Sequence, residues 1–467
     1  MQANYKVVSS EDINFLSAIV GSDYSLTDTE NKLKYGSDYT GDFYFEPALI
    51  LIPSNTEEIS KIVSYCYRES IPVTVRGAGT SLSAATVPVY GGIIIAMERF
   101  NKIILLDQRN LQAIVEPGVI NDVLQAAAIA EGLYYPPDPA SKGSCFLGGN
   151  IAHSSGGPKA VKYGTTKEYI LNLEVVLPNG VIIQTGANTL KNSTGYNLTQ
   201  LMIGSEGTLG IITKITVKLI PYPAHRLLLL AYFENIEQAC TGVASIFHHG
   251  ITPSALEFVE RAAWEYTISY TGLHRDIPEW AQALLIIEVD GNYLEGLQQD
   301  CEKIYEVLES HHCREVLYAE SDFEKEQIWA IRRKVGEAVK SISAFREEDA
   351  TVPRAELPQL LKRVKEIGVQ YKFRSFCYGH AGDGNVHINI LRENLNDREW
   401  EAVIHQGARE IFEVCKELNG TISGEHGIGY IQKEYMDIIF PQEHLLLLKN
   451  IKLAFDPKYI MNPGKIF

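Results

Sequence analysis

The chain has 467 residues, 45% of them hydrophobic and 21% charged, the make-up of an ordinary folded protein of two or three domains. With 42 basic against 58 acidic residues its formal net charge is −16, which argues against a nucleic-acid or anionic-membrane surface as partner. Its seven cysteines are scattered with no Cys-x-x-Cys pair, the usage of reduced cytoplasmic thiols and not of a zinc ribbon or an iron–sulfur ligand set.

Met1 to Ala18 lacks a basic start followed by an apolar stretch, so no signal peptide is expected. The longest apolar runs, such as Leu227–Ala231 and Leu284–Ile287, are too short to span a bilayer. The expected location is cytoplasmic, with any membrane contact peripheral and made through a partner.

From Pro47 to Pro221 short β-rich runs alternate with helical stretches and glycine loops. A strand at Ala48–Ile52 is followed by a helix from Thr56 to about Ser70, with Asn55 as its cap and Glu58 at the third position. Strands are expected at Pro72–Val75, Ile93–Ala96 and Gln112–Val115, and Asn121 caps a helix ending at Gly132. Pro178-Asn179-Gly180 marks a hairpin within Val175–Val181. This alternation predicts an α/β or α+β domain.

Pro221-Tyr222-Pro223 is the clearest breakpoint, since two prolines in three residues resist helix and central strand alike. Beyond it the pattern reads strand (Arg226–Phe233), helix (Ile236–His248), strand (Ser254–Val259), helix (Arg261–Tyr270) and strand (Ala283–Val289), then a long helix and another strand. This spacing predicts an antiparallel sheet with helices on one face. Asn396 caps a helix over Asp397–Glu417, and the tail from Phe455 is loop-rich.

Three small-residue loops suit a long cofactor. In Arg76-Gly77-Ala78-Gly79-Thr80-Ser81 the glycines free backbone N–H groups to face one concavity, and the hydroxyls add donors for a pyrophosphate. It is not a dinucleotide-binding fingerprint, because Leu82 takes the place of the third glycine. The stretch from Pro136 through Ser144, Cys145, Gly148 and Asn150 to Gly157 is longer and equally poor in bulk, and Gly204–Ile212 is the third.

The chemistry-bearing residues lie further on. His380 and His387 flank a Gly-Asp-Gly-Asn turn, with Asn389 two residues beyond on the same strand face. Glu425-His426 sits in a second glycine-rich bend. Two imidazoles and a carboxylate suit a divalent cation with open positions, zinc foremost and manganese or iron(II) as alternatives. Trp329-Ala330-Ile331-Arg332-Arg333-Lys334 is either a solvated helix face or an arginine fork for a carboxylate. His248-His249 and His311-His312 sit at helix ends and read as solvated.

In combination, Arg-Gly-x-Gly-Thr-Ser, Gly-Gly-Asn followed by Gly-Gly, Gly-Ser-Glu-Gly-Thr-Leu-Gly, Glu348-Asp349 leading to Val352-Pro353-Arg354, Gly-His-x-Gly-Asp-Gly-Asn-x-His and Gly-Glu-His-Gly-Ile-Gly resemble the flavin-dependent D-2-hydroxy-acid dehydrogenases. These belong to the vanillyl-alcohol oxidase and p-cresol methylhydroxylase superfamily. The similarity runs from about Tyr35 to Asn462-Pro463-Gly464-Lys465. It implies an α+β fold with a flavin-binding domain over residues 1–223 (core about 44–221), an antiparallel-sheet substrate domain over 224–422, and a terminal segment, 423–467, returning to the flavin.

The resemblance further implies FAD contacts from Arg76, Gly77, Ala78, Gly79, Thr80, Ser81, Pro137, Ser144, Cys145, Gly148, Asn150, His153 and Ser154, and from Glu206, Gly207, Gly210, Ile211, Ile212 and Asn462. His380, His387 and Glu425 are the implied metal ligands, His426 the base, Arg332 the substrate-carboxylate clamp and Asn389 an orienting group.

Relatives with covalent flavin carry a histidine in the first loop where Thr80 and Ser81 stand, so the FAD is expected to be non-covalent. Relatives acting on D-2-hydroxyglutarate carry a lysine in the stretch here read Arg346-Glu347-Glu348-Asp349, so a small monocarboxylic 2-hydroxy acid is expected. With no cluster-binding cysteines, electrons must pass to a separate iron–sulfur subunit, an electron-transferring flavoprotein, a quinone or oxygen; a homodimer is left open. The competing readings are a D-2-hydroxyglutarate enzyme, a non-redox flavin transferase resembling alkyl-dihydroxyacetone-phosphate synthase, and an inactive FAD subunit of a larger complex.

Overall fold

The computed structural model describes residues 4–273, 275 and 277–467, so the first three residues of the stretch read for a leader lie outside it. The chain divides into two units. One takes the chain up to Gly156, Thr165–Tyr222 and Glu425–Phe467; the other takes Gly157–Gly164 and Pro223–Gly424.

In the first unit a four-stranded sheet runs in the order Ser25–Leu26, Leu49–Leu51, Ile93–Ala96, Val73–Arg76. Its last three strands are parallel. Parallel pairing requires crossovers, and the helix Thr56–Glu69 supplies one. Asn55 accepts from the Glu58 N–H, and the Glu58 carboxylate accepts from Ser54 N–H at 2.7 Å. Ile59, Ile62, Val63 and Cys66 recur at three- and four-residue spacing and are buried against the sheet. Each such aliphatic side chain contributes about 1.5–3 kcal/mol. A five-stranded antiparallel sheet follows in the order Ile103–Asp107, Gln112–Val115, Ile211–Lys218, Ile170–Val176, Ile182–Gln184. Its last two strands form the hairpin expected at Pro178-Asn179-Gly180, where Gly180 takes φ +87°.

Two details of this unit differ from expectation. Ile120, not Asn121, caps the helix Asn121–Ala130. The buried Asn121 amide instead donates to the Pro137 carbonyl at 3.0 Å and accepts from Asn150, since a buried amide must find partners wherever they lie. The second small-residue stretch is partly helical, over Leu147–His153. Its glycines lower helix propensity, but a Cβ on Gly148 would stand 2.6 Å from Pro117, so close packing requires the glycine. At the end of the chain, Asn462 N–H bonds Val73 and Val73 N–H bonds Ile460, both at 2.7 Å, which lays residues 460–462 beside the Val73–Arg76 strand.

The second unit is built on a seven-stranded sheet in the order Glu315–Tyr318, His225–Phe233, Ala283–Gly291, Ala255–Glu260, Arg374–His380, Asn385–Leu391, Phe345–Thr351. All its pairings are antiparallel. Helices cover both faces, whereas the element spacing predicts one. Leu227, Leu229 and Ala231 pack with residues of helices Ile236–His248 and Leu294–Ser310, while Leu228, Leu230 and Tyr232 pack with Trp264, Ile328 and Val335 from the opposite side. Leu227–Phe233 and Ala283–Ile287 are apolar at consecutive positions, the pattern of strands buried on both sides. The helix expected over Asp397–Glu417 is continuous, but Val403–Gly407 forms a π-turn within it. Among the described residues no helix is long and apolar enough to cross a membrane.

Candidate active site

The second unit carries a polar cluster on the sheet face covered by helices Arg261–Thr271 and Asp322–Arg333. Strand alternation puts Val386, Ile388 and Ile390 into one core and turns Asn385, His387 and Asn389 to the opposite face. There His387 is paired across the sheet with Tyr378 and Asp349, and Asn389 with Phe376 and Glu347.

His380, at the end of the neighbouring strand, stands with its ring centroid 5.3 Å from that of His387, the planes at 86°. One ring nitrogen of each lies within 4.8 Å of the other, a spacing two ligands of one cation can adopt. His380 Nδ1 is 2.9 Å from both oxygens of Glu257. Arg332, from the helix Asp322–Arg333, is buried, makes an ion pair with Glu257 at 2.6 Å and lies over the Tyr378 ring. Its Nε is buried with no hydrogen-bond partner among the described residues, as are both Oδ1 and Nδ2 of Asn389. Buried polar atoms left over in this way point to a ligand that completes them. Burial by itself would raise the Glu257 carboxyl, but His380 and Arg332 hold it below its ordinary value.

Arg332 and Trp329 are therefore not a solvated helix face: Trp329 Nε1 donates to the buried Glu288 at 2.8 Å, and Lys159 pairs with the same carboxylate. Asp349, also buried, accepts from Asn385 Nδ2 (2.7 Å), Ser423 Oγ (2.9 Å) and Gly424 N–H (2.8 Å). It thereby fixes the residues that lead into Glu425. Of the stretch 346–349, Glu347 and Asp349 share the histidine face, whereas Arg346 and Glu348 pair with Ile390 and Ile388 and turn to the other.

The first unit holds a cleft lined by residues from all three small-residue loops. Gly77 comes from the first, Gly148 and His153 from the second, Glu206, Gly207, Gly210, Ile211 and Ile212 from the third, and Asn462 from the chain's end. Two of the lining glycines, Gly77 and Gly149, leave a would-be Cβ nothing closer than 3.7 Å, so the backbone there is open to a flat group. That fits a flavin. Asn462 Nδ2 is fixed by the carbonyls of Ala85 and Glu206.

Other residues of these loops also make bonds within the scaffold. Arg76 donates to the carbonyl of Ser37 at 2.5 Å and to Thr86, and a Cβ on Gly79 would lie 2.2 Å from its guanidinium. Ser81 accepts from the N–H groups of Ser83 and Ala85. The Pro137 carbonyl and Asn150 belong to the Asn121 network, and Ser144 Oγ donates to Ser141. Cys145 is buried, Ser154 ends a helix with φ +56°, and Ala78 and Thr80 lie in the loop that follows the Val73–Arg76 strand.

Glu206 accepts from the N–H groups of Ile428 and Gly429, each at 2.7 Å, and Ser83 Oγ donates to the His426 carbonyl at 3.1 Å. The Glu425 carboxylate accepts from Gly156 N–H at 3.1 Å. Burial raises the Glu206 carboxyl, against the pull of His153 and the two amides.

Nearby, Lys465 is buried and donates to the Val87 carbonyl; burial lowers its amine from 10.5 to about 7. Between those values the folded chain binds fewer protons than the unfolded one, so stability rises with pH across that window. The stability difference between the native chain and Lys465→Met is expected to shift in favour of the native chain by about 2 kcal/mol from pH 7 to 9, read by denaturant melts at both values.

Sequence reasoning missed Glu257 as the shared partner of His380 and Arg332. The available signal was a lone acid inside the otherwise apolar Ala255–Val259, a position where a carboxylate persists only if paired.

The FAD binding domain family matches residues 47–186, and the family described as FAD linked oxidases, C-terminal domain, matches residues 222–466. The chain is 39% identical to glycolate oxidase subunit GlcD of Bacillus subtilis (strain 168), over 93% of this chain and 92% of that protein. It is 36% identical to D-lactate dehydrogenase of Anaerostipes hadrus, over 90% and 89%. Among solved structures, p-cresol methylhydroxylase with substrate bound superposes with a TM-score of 0.81 over 99% of this chain and 98% of that one, at 16% identity, a likeness of fold.

Proposed function

The chain belongs to the FAD-linked oxidases, and from that premise we propose that it oxidises a small D-2-hydroxy acid, glycolate or D-lactate, to the 2-oxo acid. The relatives named glycolate oxidase subunit and D-lactate dehydrogenase support the substrate class. The observation that carries the reading is the buried Asn389 amide, which has no hydrogen-bond partner among the described residues and lies on the same strand face as His387.

Arg332 receives the substrate carboxylate, its planar fork fixing which face of Cα is presented. Asn389 bonds the carboxylate or hydroxyl, and His426 accepts the hydroxyl proton. His380, His387 and Glu425 are the residues to hold a divalent cation, zinc foremost, which when bound would acidify that hydroxyl. FAD, when bound, supplies the two-electron acceptor at its N5. The loops at 77–81, 144–154 and 206–212 and Asn462 hold it without a covalent bond. Glu347 and Asp349 on the substrate face disfavour a second carboxylate, which argues against 2-hydroxyglutarate. The reoxidant is a separate acceptor: an iron–sulfur subunit, an electron-transferring flavoprotein, a quinone or oxygen.

Anaerobic mixing of the flavin-loaded protein with glycolate, D-lactate, L-lactate and D-2-hydroxyglutarate tests this. Flavin bleaching is expected with the first two only, and denaturation is expected to release the flavin and leave a chain of unmodified mass. No bleaching with any 2-hydroxy acid would sink the proposal.

A further inference from the structure

We propose that Glu257 is a positioning residue which fixes the tautomer of His380 and the place of Arg332 at once, so that one carboxylate holds both a metal ligand and the substrate clamp. The inference rests on the reading of His380 as a metal ligand. Glu257 is fully buried, its two oxygens each 2.9 Å from His380 Nδ1 and Oε2 also 2.6 Å from Arg332 Nη2.

An ionised carboxylate only accepts hydrogen bonds. Nδ1 must then carry the ring proton, which leaves the imidazole lone pair on Nε2, the one nitrogen able to bind a cation. The carboxylate also makes that nitrogen more basic, as partners behind metal-bound histidines do.

The placement follows from strand order. Ala255–Glu260 is the neighbour of Arg374–His380, with Phe258 opposite Gly379, so Glu257 and His380 meet on one face without loop residues intervening. Arg332 reaches the same carboxylate from the helix above and is held on its other side by the Tyr378 ring, 5.0 Å from the guanidinium carbon. Neither Arg332 nor His380 has freedom to turn while Glu257 is charged and in place.

The test is zinc retention by the full-length, flavin-loaded protein, measured by metal analysis after dialysis against graded chelator. Glu257→Gln, which keeps the shape, is expected to retain zinc about 10- to 100-fold more weakly, with flavin content unchanged. His380→Ala serves as the comparator. If His380→Ala loses zinc and Glu257→Gln holds it like the native protein, the inference about Glu257 fails alone. If His380→Ala also holds zinc, the metal reading fails and this inference with it. The double variant Glu257→Met with Arg332→Met removes the buried cation together with its partner. Weak zinc retention in it supports the role toward His380, whereas recovery to the native value means that Glu257 merely neutralises Arg332 and overturns the proposal.

Discussion

Replacing His426 by alanine is expected to slow reduction of the bound flavin by ~10²–10⁴-fold, the range for removal of a general base, with flavin content unchanged. The backbone of the turn is held at several points: Glu206 takes the N–H groups of Ile428 and Gly429, Ser83 bonds the His426 carbonyl, and Ile466 N–H bonds the Gly429 carbonyl. Deleting the ring therefore removes the proposed proton acceptor and keeps these bonds of the turn. Anaerobic stopped-flow absorbance at saturating D-lactate or glycolate measures the step directly. A variant that keeps more than about a tenth of the native rate would take His426 out of the role.

Gly384→Ala is expected to cost about 4 kcal/mol or more and to abolish zinc retention. Gly384 lies in the turn between the strands that carry His380 and His387, at φ +85°, and an added Cβ would stand 1.9 Å from the Val352 carbonyl and 3.2 Å from Arg354 N. The clash falls on backbone at both points, so no side chain can swing away. The same turn accepts Val352 N–H at 3.0 Å, which ties it to the strand carrying Asp349. Gly250→Ala is the comparison: φ is +83° there too, but nothing lies within 4 Å. Strain alone should cost that variant only about 1 kcal/mol. Equal losses in the two variants, by denaturant melts, would show that conformation and not the close approach governs Gly384.

What could be read in the sequence depended on whether its cause was local. Asn396 and Glu399, three residues apart, cap one another reciprocally, and Asn55 accepts from the Glu58 N–H while the Glu58 carboxylate takes the Ser54 N–H one residue further out. Gly180 announces its hairpin for the same reason. Asn121 misled because its amide is claimed by Pro137 and Asn150, residues that no nearby pattern connects to it. The second helical layer on the large sheet is written in the unbroken apolar runs of Leu227–Phe233 and Ala283–Ile287, a signal of composition that the spacing between elements does not carry.

In the site, the His380–His387 turn was visible as a motif, and alternation along one strand was enough to put Asn389 beside His387. Glu257 was not visible. Its partners are 75 and 123 residues away in the chain, and a single acid among aliphatic residues carries no period.

The excursion of residues 157–164 into the second unit bears on how far that unit is portable. Lys159 neutralises the buried Glu288, and Lys162 and Tyr163 bond the buried Asp290. A gene segment cut to 223–424 would carry every strand of the sheet and none of these partners. Both carboxylates would then lose their lysine counter-charges, at a cost of roughly 3–5 kcal/mol for each broken pair. Recombination between relatives at Pro223 alone should thus give insoluble chimeras unless the eight-residue excursion travels with it. The natural exchange unit of this chain is discontinuous in sequence.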